Sequence, residues 1–176
     1  FTSEVQHGTL STVVTAQPAR WVSTAAKATI AAAFGLAMGV LAMIAGFSGA
    51  VLSGLRLGDT SGIAVTALCG LVVTSLSAVL GLGVGMIIRH SSAAVSTLLV
   101  WAFVVENLFR TIAPPSISRF LPFSATDGLL GIKSATDTAA TAAVALTRVQ
   151  DALLFGSYVV AAFSIGTALL YRRDTN

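Results

Sequence analysis

The chain alternates long apolar runs with short charged punctuation. Lys27 to Arg56 encloses 28 uncharged residues, Asp59 to Arg89 encloses 29, His90 to Glu106 encloses 15 and Asp151 to Arg172 encloses 20. A helix that crosses a bilayer needs about 20 apolar residues. The pattern therefore predicts four spans, at 26–52, 62–88, 92–112 and 150–171. Backbone groups in lipid must be satisfied within the protein. Alternating segments of about ten residues, the mark of barrel strands, are absent, so helices are expected. The connection "SGLRLGDTSG" is short and rich in turn residues, which makes the first two spans antiparallel neighbours. "RHSS" at 89–92 is shorter still, and Ser91 and Ser92 are expected to cap the third span.

The segment 113–148 breaks the pattern and holds three of the four prolines. Pro114-Pro115 stops the third span. "RFLPF" reads as an aromatic piece at the membrane interface. Residues 125–132 and 138–147 are each expected to form a short helix that lies in the interface or re-enters it, because a structureless loop of this length is unusual. Residues 1–20 are polar. Ser3 suits a helix start, Val5, Leu10, Val13 and Val14 suit one side, and Pro18 ends the segment. Arg20, Trp21 and Lys27 suit an interface anchor, and Tyr171 with Arg172-Arg173 suits a cytoplasmic stop.

Composition narrows the class. The chain is 55% hydrophobic and 10% charged, with a mean hydropathy of +0.88. Soluble domains carry about 25% charged residues. An all-α integral membrane protein is expected, a polytopic bundle of transmembrane helices. The sequence pI near 9.6 does not point to nucleic acid, because the basic residues sit singly at span ends. Cys69 is the one cysteine, so there is no disulfide framework. His7 and His90 have no carboxylate or thiol at ligand spacing, so no metal is expected. The many Ser and Thr residues in the spans have no His or Lys base at their depth. No GxxxxGK[ST] pattern occurs. Gly35, Gly39, Gly46 and Gly49 in the first span, and Gly81, Gly83 and Gly85 in the second, allow close helix packing; the alternative is a dimer face or a substrate passage. Lys and Arg divide five and five between the two sides, and closeness to span ends weights the Arg172-Arg173 end as cytoplasmic. The chain begins at Phe1 with nothing resembling a signal peptide, and is read as lacking an upstream part.

Three stretches together resemble the membrane subunit of a type-2 ABC exporter, the permease family that includes bacterial drug and antibiotic efflux systems. "SEVQHGTLSTVVTAQPARWVSTAAK" is similar to the family's Glu, Gly-Thr-Leu, Pro-x-Arg and Lys series. "LGLGVGMIIRHSSAAVSTLLVWAFVVENL" resembles its Gly-rich span, turn arginine and following span. "RFLPFSATDGLL", with a last span closing in "YRRD", completes the order. The resemblance implies a six-span subunit of which this chain carries the last four spans. It implies a cytoplasmic coupling helix within residues 1–20, where Glu4, His7, Leu10 and Val14 contact the ATPase, ahead of a transmembrane domain over 21–176. It implies extracellular re-entrant helices at 113–148 and a place in the bacterial cytoplasmic membrane. It implies separate ABC ATPase subunits that hold ATP and Mg, a second permease subunit, identical or paralogous, and no catalysis or cofactor in this chain. The function implied is ATP-driven export of a hydrophobic or amphiphilic molecule such as a drug, antibiotic or lipid. An ion-coupled carrier or an integral membrane enzyme is the alternative.

Glu106 and Asn107 are the polar positions inside the third span, and ionisable residues there face a bundle interior or cavity. Glu106 stands about 24 Å along its helix from Ser91 at roughly 1.5 Å per residue. It precedes Arg110 by one turn, the favourable order for a same-face pair. A structural pair near the outer edge is the main expectation; a place on the exit path with Trp101, Phe103, Asn107 and Arg110, or in dimer packing, is the other. Trp101, Phe103 and Phe109 suit ordinary packing or an apolar cavity.

Overall fold

The computed structural model describes residues 20–54, 60–88, 90–132, 141 and 143–173, and all regular structure among them is helical. The elements are α1 (Arg20–Leu52), α2 (Thr60–Ile88), α3 (Ser91–Val100), a π-helical turn (Trp101–Val105), α4 (Glu106–Ile112), α5 (Pro115–Ser118), α6 (Pro122–Leu130) and α7 (Arg148–Arg173). Among the described residues, four stretches are long and apolar enough to cross a membrane: Val22–Leu52, Ser61–Ile88, Ser91–Ile112 and Arg148–Arg172. They match the four expected spans. The first helix begins earlier than position 26, because nothing between Arg20 and Lys27 breaks a helix.

The bundle is arranged around α2, which packs along α1 on one side and α7 on another and also touches α3 and α6. Glycine makes both long seams close. A Cβ on Gly35 would lie 2.5 Å from Thr74 O and 2.9 Å from Ser75 Cα. Beside it the Ser75 hydroxyl donates to Ala32 O at 3.0 Å, a bond between the two helices. On the other side a Cβ on Gly83 would lie 2.9 Å from the backbone of Ala162 and Phe163. Among the described residues a buried cluster forms from Ala125, Phe155 and Val159, with Leu76, Val79, Leu80 and Leu154 packed against it. Large apolar side chains such as Ile30, Phe34, Leu41 and Val160 point outward. That arrangement suits a hydrocarbon surround.

Three expectations change. The serine cap does not form: Ser91 is already helical, and the non-helical backbone that a cap requires belongs to His90, at φ −114° and ψ 121°, with no side-chain cap bond. The helix expected over 125–132 runs Pro122–Leu130. Proline fits the first helical position, where its missing N–H is no loss. Gly131 closes the helix at φ +70°. Its N–H reaches Gly128 O at 3.1 Å and the Ile132 N–H reaches Asp127 O at 2.9 Å, the paired bonds of a Schellman stop. The helix expected over 138–147 is helical at 141 and 143 but not over 144–147, and its other residues lie outside those described.

α6 lies against the middle of α2, not beyond its end. Its Leu130 approaches Gly70, and its Ala125 belongs to the buried cluster against which Leu76 and Leu80 pack. Leu76 is about 24 Å from the Thr60 end at about 1.5 Å per residue. The short helix thus dips between the spans.

Candidate functional site

Glu106 begins α4 and is 1% exposed. Its carboxylate is the N-terminal cap of α6. A helix leaves its first N–H groups without partners. In α6 the first residue is Pro122, which has none, and the first intrahelical bond runs from Ala125 N–H to Leu121 O at 3.0 Å. That leaves Phe123 and Ser124. The Phe123 N–H donates to Glu106 Oε2 at 3.1 Å, and the Ser124 N–H donates to Oε1. The Ser124 hydroxyl also donates to Oε1 at 3.1 Å. Arg110 Nη2 completes the set, 3.1 Å from Oε1. A carboxylate at this place also meets the positive end of the helix dipole.

Arg110 is shared. Its Nη1 lies 2.8 Å from Asp127 Oδ2, so one guanidinium joins α4 to the second turn of α6. Further bonds tie the same region to the last span and to the stretch before it. The Tyr158 hydroxyl donates to Phe120 O at 2.9 Å. Arg119 donates from Nη1 to Val144 O at 3.1 Å and stacks 4.7 Å from the centre of the Phe120 ring. Asp127 is partly exposed, and pairs of that kind contribute about 0–1 kcal/mol. Asp127→Asn is therefore expected to lower the thermal midpoint only slightly, measured on protein in lipid nanodiscs.

The remaining expected residues fall in three places. Trp101, Phe103 and Phe109 face outward, Phe103 being 70% exposed, and are not among the residues that line the space between α1 and α2. The Asn107 side chain turns back on its own helix and donates to Phe103 O at 2.9 Å. Glu4, His7, Leu10 and Val14 lie outside the described residues.

A cavity lies elsewhere. A space of about 670 Å³ opens between α1 and α2, walled by Gly39, Gly46 and Ala50 from one helix and Gly62, Ala67 and Gly70 from the other, with Leu130 of α6 at one side. Gly35 and Gly39 touch α2, whereas Gly46 and Gly49 meet nothing within 4 Å. The two helices part toward the Leu52 end. Thr66 and Thr74 are the hydroxyls of the lining, and Thr74 donates back to Gly70 O at 3.0 Å. The signal for this cavity was in the sequence as two facing stripes of Gly and Ala, but a packed seam and an open one share that signal. Asp151 was legible only as the charge that bounds the last run. It is 4% exposed in the first turn of α7, with its carboxylate against Gly128 of α6. Among the described residues, no three His, Cys, Asp or Glu side chains come together to hold a metal ion.

The architecture defines a class: a multi-pass helical membrane protein, with a short helix inserted between its spans. Comparison with protein-family models, curated proteins and solved structures finds no match.

Proposed function

We propose that this chain is a membrane-spanning permease subunit of an ATP-binding cassette exporter in the bacterial cytoplasmic membrane. It moves a hydrophobic or amphiphilic molecule, a drug, antibiotic or lipid, and works with a second permease subunit. ATP and Mg are bound by separate ATPase subunits, which dock on the segment holding Glu4, His7, Leu10 and Val14. The observation that carries the reading is the apolar space of about 670 Å³ between α1 and α2, open along one side, whose volume falls in the range of drug-like ligand sites. The ordered resemblance of three stretches supplies the class. With the Arg20 and Arg172-Arg173 ends taken as cytoplasmic, the cavity belongs to the outer half of the spans and α6 lies near their middle.

The test is to purify the full-length protein with its neighbouring ATPase and follow ATP-driven export from vesicles. Loss of ATPase co-purification, together with export unaffected by Glu4 or Leu10 substitution, would sink the reading. The cavity has its own test. A side chain at Gly46 projects into open space, so Gly46→Phe is expected to leave the thermal midpoint unchanged and to cut export severalfold. Unchanged export would remove the cavity from the path.

One observation favours the ion-coupled alternative: Asp151 is a buried carboxylate within a span, the kind of group that marks ion pathways. Transport that follows a proton gradient and ignores ATP would establish that reading in place of the first.

A further inference from the structure

The third span contains an irregularity that its own sequence does not require. Residues 91–113 include no Pro and no Gly, yet the helix widens into a π turn at Trp101–Val105, where the Glu106 N–H reaches back five residues to Trp101 O. Helix irregularities have identifiable causes. A π turn absorbs one extra residue.

The extra residue corrects the facing of the helix. Inward positions on the third span recur at Ala94, Leu98, Ala102, Glu106 and Arg110, all buried or half-buried. Across the sixteen residues from Ala94 to Arg110, a regular helix would turn such a stripe by about 160°. One residue absorbed without rotation reduces this to about 60°. The π turn is therefore what keeps Glu106 and Arg110 under α6 while Ala94 stays buried. The Asn107 amide supports it, donating to Phe103 O inside the turn. A backbone carbonyl left open in lipid would be costly.

We infer that the π turn of the third span is a register switch that controls the cavity between α1 and α2. In the π register Glu106 caps α6, and α6 holds Leu130 against the cavity. In a regular α register the outer part of the span turns by about 100°, Glu106 and Arg110 leave α6, and Leu130 withdraws with it. Asn107 is a positioning residue that favours the π register. The gating role rests on the export reading above; the register switch itself does not.

The experiment measures hydrogen exchange at the Phe123 and Ser124 amides of the full-length protein in lipid nanodiscs. Asn107→Ala is expected to speed their exchange on the order of tenfold by favouring the uncapped register. Deletion of Phe103 removes the extra residue, so a regular helix then presents Glu106 to α6. Protection is expected to be kept or increased, while export, which needs both registers, is lost. Unchanged exchange in Asn107→Ala, or lost protection on deletion of Phe103, would overturn the switch. Export that survives in a deletion variant with full protection would overturn the gating role. A wild type that shows no ATP-driven export would instead count against the transporter reading, with the exchange results still deciding the register.

Discussion

Glu106→Gln is expected to loosen α6 from the third span and to destabilise the fold by about 3 kcal/mol, the scale seen when one member of a buried charge network is removed. The carboxylate accepts from two backbone N–H groups, one hydroxyl and one guanidinium. An amide offers one oxygen to those donors and turns an NH2 toward the rest. At least one N–H of the first turn of α6 then loses its acceptor, and Arg110 keeps only Asp127 as a charged partner. Glu106→Asp keeps the charge on a shorter arm and is expected to fall between the two. The measurement is the thermal midpoint of the full-length protein in nanodiscs, with Asp127→Asn as the mild comparison. The pair with Arg110 expected from the four-residue spacing is present, but it is the smaller part of what the carboxylate does. Export is expected to decline together with stability. A Glu106→Gln protein that assembles and melts like wild type yet fails to export would place the residue on the substrate path.

The reason the sequence could not show the cap is instructive. The four spans were legible because lipid imposes one rule on the whole run, a stretch without charge long enough to cross. Pro122 and Gly131 were visible too, and they mark the first residue of α6 and the stop just past its last; a start at 125 overlooks that proline belongs at a first helical position. What could not be read was which acceptor would serve Phe123 and Ser124, since the answer lies 17 and 18 residues earlier in the chain. The π turn was hidden for a related reason. No Pro or Gly marks it, and its only trace is the four-residue spacing from Ala94 to Arg110, too long a period for a straight helix to hold on one face. Asp151 was misleading for the opposite reason. A charge at the end of an apolar run looks like a boundary, and Gly128 makes the room that buries it.

Gly83→Val is expected to be the most damaging change on α2, destabilising the bundle by roughly 3 kcal/mol, the upper end of overpacking costs. The stretch "GLGVG" shows why one glycine differs from its neighbour. Gly81 and Gly83 are two residues apart, about 200° around the helix, so they face opposite sides. A Cβ at Gly81 meets nothing within 4 Å, whereas one at Gly83 falls 2.9 Å from Ala162 C and Phe163 N. Those are backbone atoms of α7 and cannot turn aside as a side chain could. Moving them moves the helix that supplies Phe155 and Val159 to the core. It also moves Gly166, where a Cβ would itself lie 2.9 Å from Gly83 O. The seam is thus tight from both sides and has no local way to relax. Gly81→Ala, by contrast, is expected to be neutral or to gain up to about 1 kcal/mol from better helix propensity. Thermal midpoints of the two variants in the same nanodiscs decide the matter. If Gly83→Val melts with Gly81→Ala, the α2–α7 approach is looser than described, and the close seam is not what holds the last span to the bundle.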